Sequence, residues 1–347
     1  MPSVPVDLDY STLAQIQIKV RRLTRTPSTA QLSDNDLNNY INTFVLYDFP
    51  QTLKLFPLRK TLTFYTNPNV EYCTTNLINP NDPLFNFQNQ YMAITSPVYV
   101  AGLNVFFSQS REQFWAIFPE VRAISQQAQG DGLTTNFTGT ITNIPFLQNK
   151  VLFSSVDIYG NGLAVKDVPI TDPVSGFIGD TGNLVDANNP SINAGNINYV
   201  TGVFDVTFPT APALSQAINS QVVPYQAAKP QAMLYYDNKF IFRPVPDQPY
   251  QVNMDCYTRP SALLATDQMP ELSQWWQYIA YGAAKKIFED RMDMDSIQMI
   301  MPELKNQERL VLRDTLIQLA NERTATIYTE QTSMGTLSGG GSNWGGF

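Results

Sequence analysis

The chain contains no histidine, and only two of its 347 residues are cysteine. Histidine is the usual general base near neutral pH and the commonest metal ligand. Its absence excludes Ser-His-Asp and Cys-His nucleophile systems, His-containing zinc sites and facial-triad iron sites. Cys73 and Cys256 are too few for a four-cysteine metal site or a disulfide framework. Each sits in a strand-like stretch (VEYCTT, VNMDCYT), so buried free thiols are expected rather than a disulfide. No apolar run approaches the roughly 18 residues of a membrane span, and no basic-then-apolar leader is present, so neither a membrane partner nor standard secretion is expected. The phosphate loop GxxxxGK[ST], a GxGxxG between strand and helix, and a GxSxG elbow are all missing. No catalytic residue, cofactor or metal follows from any motif, and the chain is not expected to be an enzyme. Positive charge is also scarce: 22 Lys and Arg stand against 30 Asp and Glu, a net charge of −8. A general nucleic-acid binder needs a basic face to displace counterions, and this chain lacks that balance.

What is present is apolar and amide-rich. Hydrophobic residues make up 43% of the chain, enough for real cores, and the length suggests two domains. The 28 Asn and 25 Gln together match the 52 charged residues. Amides hydrogen-bond without the desolvation cost of ions, which suits wet contacts between subunits. The 17 Tyr and 20 Phe serve cores and suit protein interfaces as well.

The pattern runs helix, long β region, helix. Leu13, Ile16, Val20 and Leu23 predict a helix over 11–23 whose basic end (Lys19, Arg21, Arg22, Arg25) matches the macrodipole. Ser33 to Asp36 resembles a capping box with Asp in place of Glu, and Leu37, Tyr40, Ile41, Phe44 and Val45 continue at helical spacing until Pro50. From Leu58 the period becomes two. TLTFYT, a turn at Asn67-Pro68-Asn69, and VEYCTT read as a hairpin. YMAITSPVYVAGLNVFFS reads as another strand pair, and SREQFWAIFP as a short helical turn gathering Phe114, Trp115 and Phe118.

Between 123 and 228 the composition shifts. That stretch has no Arg and no Glu, two Lys against seven Asp, and ten of the 18 Gly lie between Gly130 and Gly202. Short strands (GTITNIP, VLFSSVDIY, INYVTGVFDVTFP, INSQVVPY) alternate with turns, which predicts an inserted all-β sandwich or barrel. Beyond it, AMLYY-Asp237-Asn238-KFIFRPVP signals a tight hairpin, with YQVNMDCYTRP as a third strand. A helix is expected from Pro270 to about Arg291, and another, capped by Asp295, to about Glu322. Ile297, Ile300, Leu304, Val311, Leu316 and Leu319 recur along the second, and Pro302 is expected to kink or restart it.

The expected class is therefore α+β: N- and C-terminal helices packed with an antiparallel β region that carries an inserted sandwich or barrel-like domain. The expected parts are an adaptor-like core over 1–122 and 229–325, the β insertion over 123–228, and a Gly-rich tail over 326–347. The tail places Trp344 and Phe347 as two apolar anchors in a flexible chain, fit for docking on a partner or a neighbouring subunit, with internal packing as the alternative. Arg21, Arg22 and Arg25 are a second candidate docking patch, with a solvated helix end as the alternative. Glu289, Asp290, Asp293 and Asp295 are read as capping and solvated residues, since a Ca²⁺ loop would need different spacing.

Three stretches resemble a known family. The opening Ile16–Pro50 and the close Tyr257–Ser296 are similar to head-to-tail adaptor, or connector-ring, proteins of short-tailed bacteriophages. In those, a short helix precedes a capped helix with an acidic-then-YIN pattern, and a strand ending in Arg-Pro leads through Pro-Glu-Leu into an Ala-rich helix. The stretch Gly195–Pro212 resembles a β module of phage virion and tail proteins. The resemblance implies a virion protein made in the host cytoplasm, forming a homo-oligomeric ring, commonly of twelve copies, at the head-tail junction. Its implied partners are itself, the portal protein, downstream tail or nozzle proteins, and genomic DNA passing through the channel without sequence-specific contact. It also implies that a terminal segment often reaches the portal, a role for which Trp344 and Phe347 are candidates. The large β insertion departs from the smallest adaptors, which leaves a tail nozzle, tubular ring, decoration or baseplate protein as alternatives. A carboxylate-based cell-wall-degrading enzyme is a third reading.

Overall fold

Helical spacing of apolar residues opens and closes the chain, and two β-sheets fill the middle of a computed structural model that describes residues 11–49, 55–75, 79–171 and 178–316. The described helices are α1 (Leu13–Leu23), α2 (Asp34–Thr43), α3 (Phe87–Gln90), α4 (Arg111–Ile117), α5 (Trp276–Asp290) and α6 (residues 294–316). The class is α+β. The chain divides into two compact units, Met1–Lys60 with Tyr257–Phe347, and Thr61–Cys256.

In the first unit the terminal helices pack together, α1 and α2 against α5. Leu13, Ile16 and Val20 of α1, Leu37 and Ile41 of α2, and Ile279, Ala283 and Ile287 of α5 are buried, as their spacing requires. Ser33 caps α2: its Oγ accepts the Asp36 N–H at 3.1 Å and donates to the Asp36 carboxylate at 2.6 Å. After α2 a π turn, Phe44–Asp48, sets Phe44 beside Phe49 and both against Tyr278 of α5 (5.3 and 4.9 Å between centroids). A Cβ on Gly282 would lie 2.2 Å from the Phe44 ring, so the bare backbone of α5 is what admits it. Helix α5 starts later than Pro270, after a 3₁₀ turn at Ser273–Trp275.

Helix α6 differs from expectation in three ways. Asp293, not Asp295, caps it, accepting the Ser296 N–H at 3.0 Å. It runs through Pro302 without restarting there. Leu304, Val311 and Thr315 are buried while Leu316 is exposed. Four residues beyond Val311 return to its face within about 40°, whereas five overshoot by about 140°. Leu319 and Pro50 lie outside the described residues.

The second unit holds both sheets. Strands β1 (Arg59–Tyr65), β2 (Tyr72–Thr74), β3 (Tyr91–Val100) and β4 (Leu103–Ser108) precede the insertion. The inserted strands are β5 (Ala123–Gln129), β6 (Asn136–Thr140), β7 (Leu152–Val156), β8 (Gly162–Thr171), β9 (Ile178–Asp186), β10 (Asn193–Asn198), β11 (Val203–Thr207) and β12 (Ala217–Val222). Strands β13 (Ala232–Tyr236), β14 (Lys239–Arg243) and β15 (Gln251–Thr258) follow. The first sheet is mixed, in the order β1-β15-β3-β4-β13-β14-β2, with β4 and β13 parallel. It curls into a half-barrel: Phe64 of β1 packs on Phe240 of β14 at 5.2 Å, and the Cys73 thiol of β2 donates to the Tyr65 carbonyl.

Here the expected 61–75 hairpin is overturned. Strands β1 and β2 flank the turn but lie at opposite ends of the strand order. Strand β1 takes β15 as its neighbour, with Thr61 and Thr63 donating to Asp255 and Asn253 at 2.8 Å each, and β2 pairs with β14. The β13–β14 hairpin turns through Asp237 and Asn238, both at positive φ as a two-residue turn demands.

The inserted sheet is wholly antiparallel, in the order β5-β12-β7-β8-β9-β10-β11-β6. Its end strands β5 and β6 approach each other, so it nearly closes around a core of Phe146, Phe153, Phe204, Phe208, Ile197 and Leu184. The run INYVTGVFDVTFP is two strands, β10 and β11, turned where Asn198 accepts the Val200 and Thr201 N–H groups. Strands β5, β8 and β9 are not evident from hydrophobic alternation. The first is amide-rich, and the others carry Pro169, Lys166 and several glycines.

Candidate functional site

Where the chain enters and leaves the inserted sheet, four charges from distant positions meet. Arg243 ends β14, and its guanidinium pairs with Glu71 at 2.6 Å and with Glu120 at 3.6 Å. It also donates to the Phe242 carbonyl and lies over the Trp115 ring at 4.9 Å. Lys150 pairs with the other side of Glu120 at 3.0 Å. The Arg243–Glu71 pair is nearly buried, so each charge depends on its partner.

Beside this network lies a cleft of about 460 Å³, lined by residues 118–123, Leu147, 223–226 and 243–245. Its floor is a buried apolar cluster, Leu147, Val223 and Val245, with Tyr225 against it. Val121 is exposed on the cleft wall and Arg122 is exposed beside it. Chemically, the cleft is an apolar seat with one positive rim.

The opposite end of the inserted sheet carries a contrasting surface. Loops 130–134, 157–161 and 210–216 interlock through Gly132 N–H to Pro212 O, Ser215 N–H to Gly130 O, and Ala213 N–H to Val156 O, at 2.8–3.0 Å. Asp131 accepts the Leu133 and Thr134 N–H groups at 2.9 and 2.7 Å and the Thr134 hydroxyl at 2.6 Å. Those bonds, the hydroxyl's foremost, hold its carboxyl down at about 2. Asp157 does the same in its loop, accepting the Tyr159 and Asn161 N–H groups at 2.8 Å, and the Asn161 side chain leads in lowering its pKa. Beside these hydrogen-bonded polar groups, the loops hold apolar side chains exposed: Leu133 is 86% exposed, Tyr159 80%, Leu214 75% and Ile158 59%. No Lys or Arg occurs in the three loops.

A buried polar tie fixes the sheet between these ends. The Asp167 carboxylate accepts the Asn149 and Val151 N–H groups at 2.6 and 2.9 Å and the Tyr199 hydroxyl at 2.9 Å. Burial raises its pKa against the pull of those bonds. Tyr199 reaches it across Gly182, where a Cβ would collide with the phenol.

Of the residues singled out from sequence, Arg21 is committed within its own loop. Its guanidinium donates to the Thr26, Ser28 and Leu32 carbonyls and pairs with Asp34 at 2.6 Å. Arg22 and Arg25 are exposed, and Arg25 lies close enough to Asp293 to help lower its pKa. Trp344 and Phe347 lie outside the described residues. Three of the four carboxylates in 289–295 are put to local use: Glu289 pairs with Lys285, Asp290 accepts the Tyr40 hydroxyl and Asp293 caps α6. Among the described residues, no group of three or more His, Cys, Asp or Glu is placed to hold a metal ion, and no helix is long and apolar enough to cross a membrane. Cys73 and Cys256 are buried and unpaired, and burial pushes each thiol up to about 12.

No protein-family model matches the chain, and no curated protein matches its sequence.

The loop tips went unread in the sequence. Their signal is a large apolar residue inside turn-forming text, as in Asp-Gly-Leu133, Asp-Ile158-Tyr159-Gly and Pro-Ala-Leu214-Ser.

Proposed function

We propose that this chain is a structural virion subunit forming a homo-oligomeric ring at the head-to-tail connector of a tailed phage. The ring joins portal to tail and continues the DNA channel. The observation that carries this reading is the apolar loop tip: side chains this exposed, on loops this tightly hydrogen-bonded, suit a surface preformed for another protein. The resemblance of Ile16–Pro50 and Tyr257–Ser296 to connector-ring proteins supplies the kind of assembly.

Charge distribution supports it further. Thr61–Cys256 carries 7 Lys and Arg against 14 Asp and Glu, so −7 of the chain's net −8 resides there. Negative charge facing a channel repels phosphates and lets the genome slide without sticking. Electron microscopy of the full chain at high concentration, alone and with the portal assembly, tests the reading. It expects closed rings with a bore wide enough for duplex DNA. A chain that stays monomeric in both samples contradicts it.

A further inference from the structure

The loop tip and the cleft sit at opposite ends of the same three neighbouring strands. Strand β5 begins at the cleft (Ala123) and ends at loop 130–134. Its neighbour β12 begins at loop 210–216 and ends at Val222, next to cleft residue Val223. Strand β7, next in order, follows cleft residue Leu147 and ends at loop 157–161. A protruding apolar surface thus stands at one end of this strand trio and a recessed apolar one at the other.

From this we infer that copies of the chain join head to tail through the inserted sheet, the tip residues Leu133, Tyr159 and Leu214 of one copy seated in the cleft of the next. The inference rests on the ring reading and names the contact that would build the ring. Its chemistry is complementary on both counts that matter at an interface core. The tip brings apolar surface and a tyrosine, and the cleft offers an apolar floor of Leu147, Val223 and Val245. At the rim, the tip's exposed Asp131, ionised at neutral pH, meets the cleft's exposed Arg122. Two different patches meeting in this way form a heterologous contact, which closes into a ring when its rotation allows.

Sedimentation velocity on three forms of the full chain tests it: wild type, a tip variant (Leu133→Ser/Tyr159→Ser/Leu214→Ser), and a cleft variant (Val121→Glu/Gln226→Glu). All five positions are exposed, and circular dichroism verifies that each variant is folded. Wild type is expected to assemble and each variant alone to stay monomeric. An equimolar mixture should stop at dimers, since it has one intact tip and one intact cleft per pair. A tip variant that assembles like wild type overturns the inference and leaves the ring reading standing. So does a cleft variant that assembles while the tip variant does not, which would mark a tip-to-tip contact or another seat. A wild-type chain that stays monomeric both alone and with the portal assembly present removes the ring reading itself, and this contact with it.

Discussion

Arg243 holds two carboxylates that come from positions 172 and 123 residues earlier in the chain, Glu71 at 2.6 Å and Glu120 at 3.6 Å. Removing one partner of a nearly buried pair leaves an uncompensated charge, so Arg243→Ala should cost about 3–5 kcal/mol in urea unfolding. A loss below about 1 kcal/mol would mean that solvent already screens the pair. Asp131 acts at the same scale through pH. Its folded pKa of about 2 lies below the ordinary 3.8, so its contribution to loop order is complete above the ordinary value and lost as pH falls toward 2. The protection factors of the Leu133 and Thr134 amides, their exchange rates set against the pH-dependent intrinsic rates, should therefore fall over that acid window and stay level above it. The two cysteines give a third check: neither should react with iodoacetamide in the native chain, and both should react once it is unfolded, because only the thiolate attacks. The fate of these thiols is legible in the strand-like residues that flank them. The Arg243 network was not, because nothing local in the sequence ties residues 71, 120, 150 and 243 together.

At the scale of elements, helices announced themselves and strand partners did not. Leu13, Ile16 and Val20, or Leu37 and Ile41, repeat at a spacing only a helix can bury on one side, and Ser33 marks its start through its own hydroxyl. The hairpin at Asp237-Asn238 was readable because both residues tolerate the positive φ that the turn imposes. Strands β1 and β2 were misjoined because partner choice is settled by distant chain: the Asp255 and Asn253 side chains on β15 meet Thr61 and Thr63. Likewise, the polar strand β5 is held by Ser125 and Gln127 bonding to Ser220, a contact that periodicity does not encode. Gly282 in α5 gives a test of packing over propensity. Alanine there gains about 1 kcal/mol in helix propensity, but its Cβ meets a Phe44 ring that is wedged against Phe49 and Tyr278. Gly282→Ala should therefore lower the thermal midpoint, and a raised midpoint would show that the ring can yield.

For the whole molecule, the described residues spend many polar side chains on turns, caps and ion pairs, and three hydrogen-bonded loops of the inserted sheet carry Leu133, Tyr159 and Leu214 exposed. Sequence alone offers Trp344 and Phe347, which lie outside the described residues, and Arg21, Arg22 and Arg25 as contact points. The described structure adds a second pair of candidate contacts, the tip and the cleft, whose residues are joined only by strand order. Both belong to the more acidic unit, which fits the proposed ring subunit, whose contacts would hold its neighbours without holding DNA. The most direct measurement is single-particle electron microscopy of the assembled chain bound to the portal. The account predicts a closed ring of identical copies around an open channel of duplex width, coaxial with the portal. Single copies scattered on the portal surface, or a closed ring with no through channel, would contradict it.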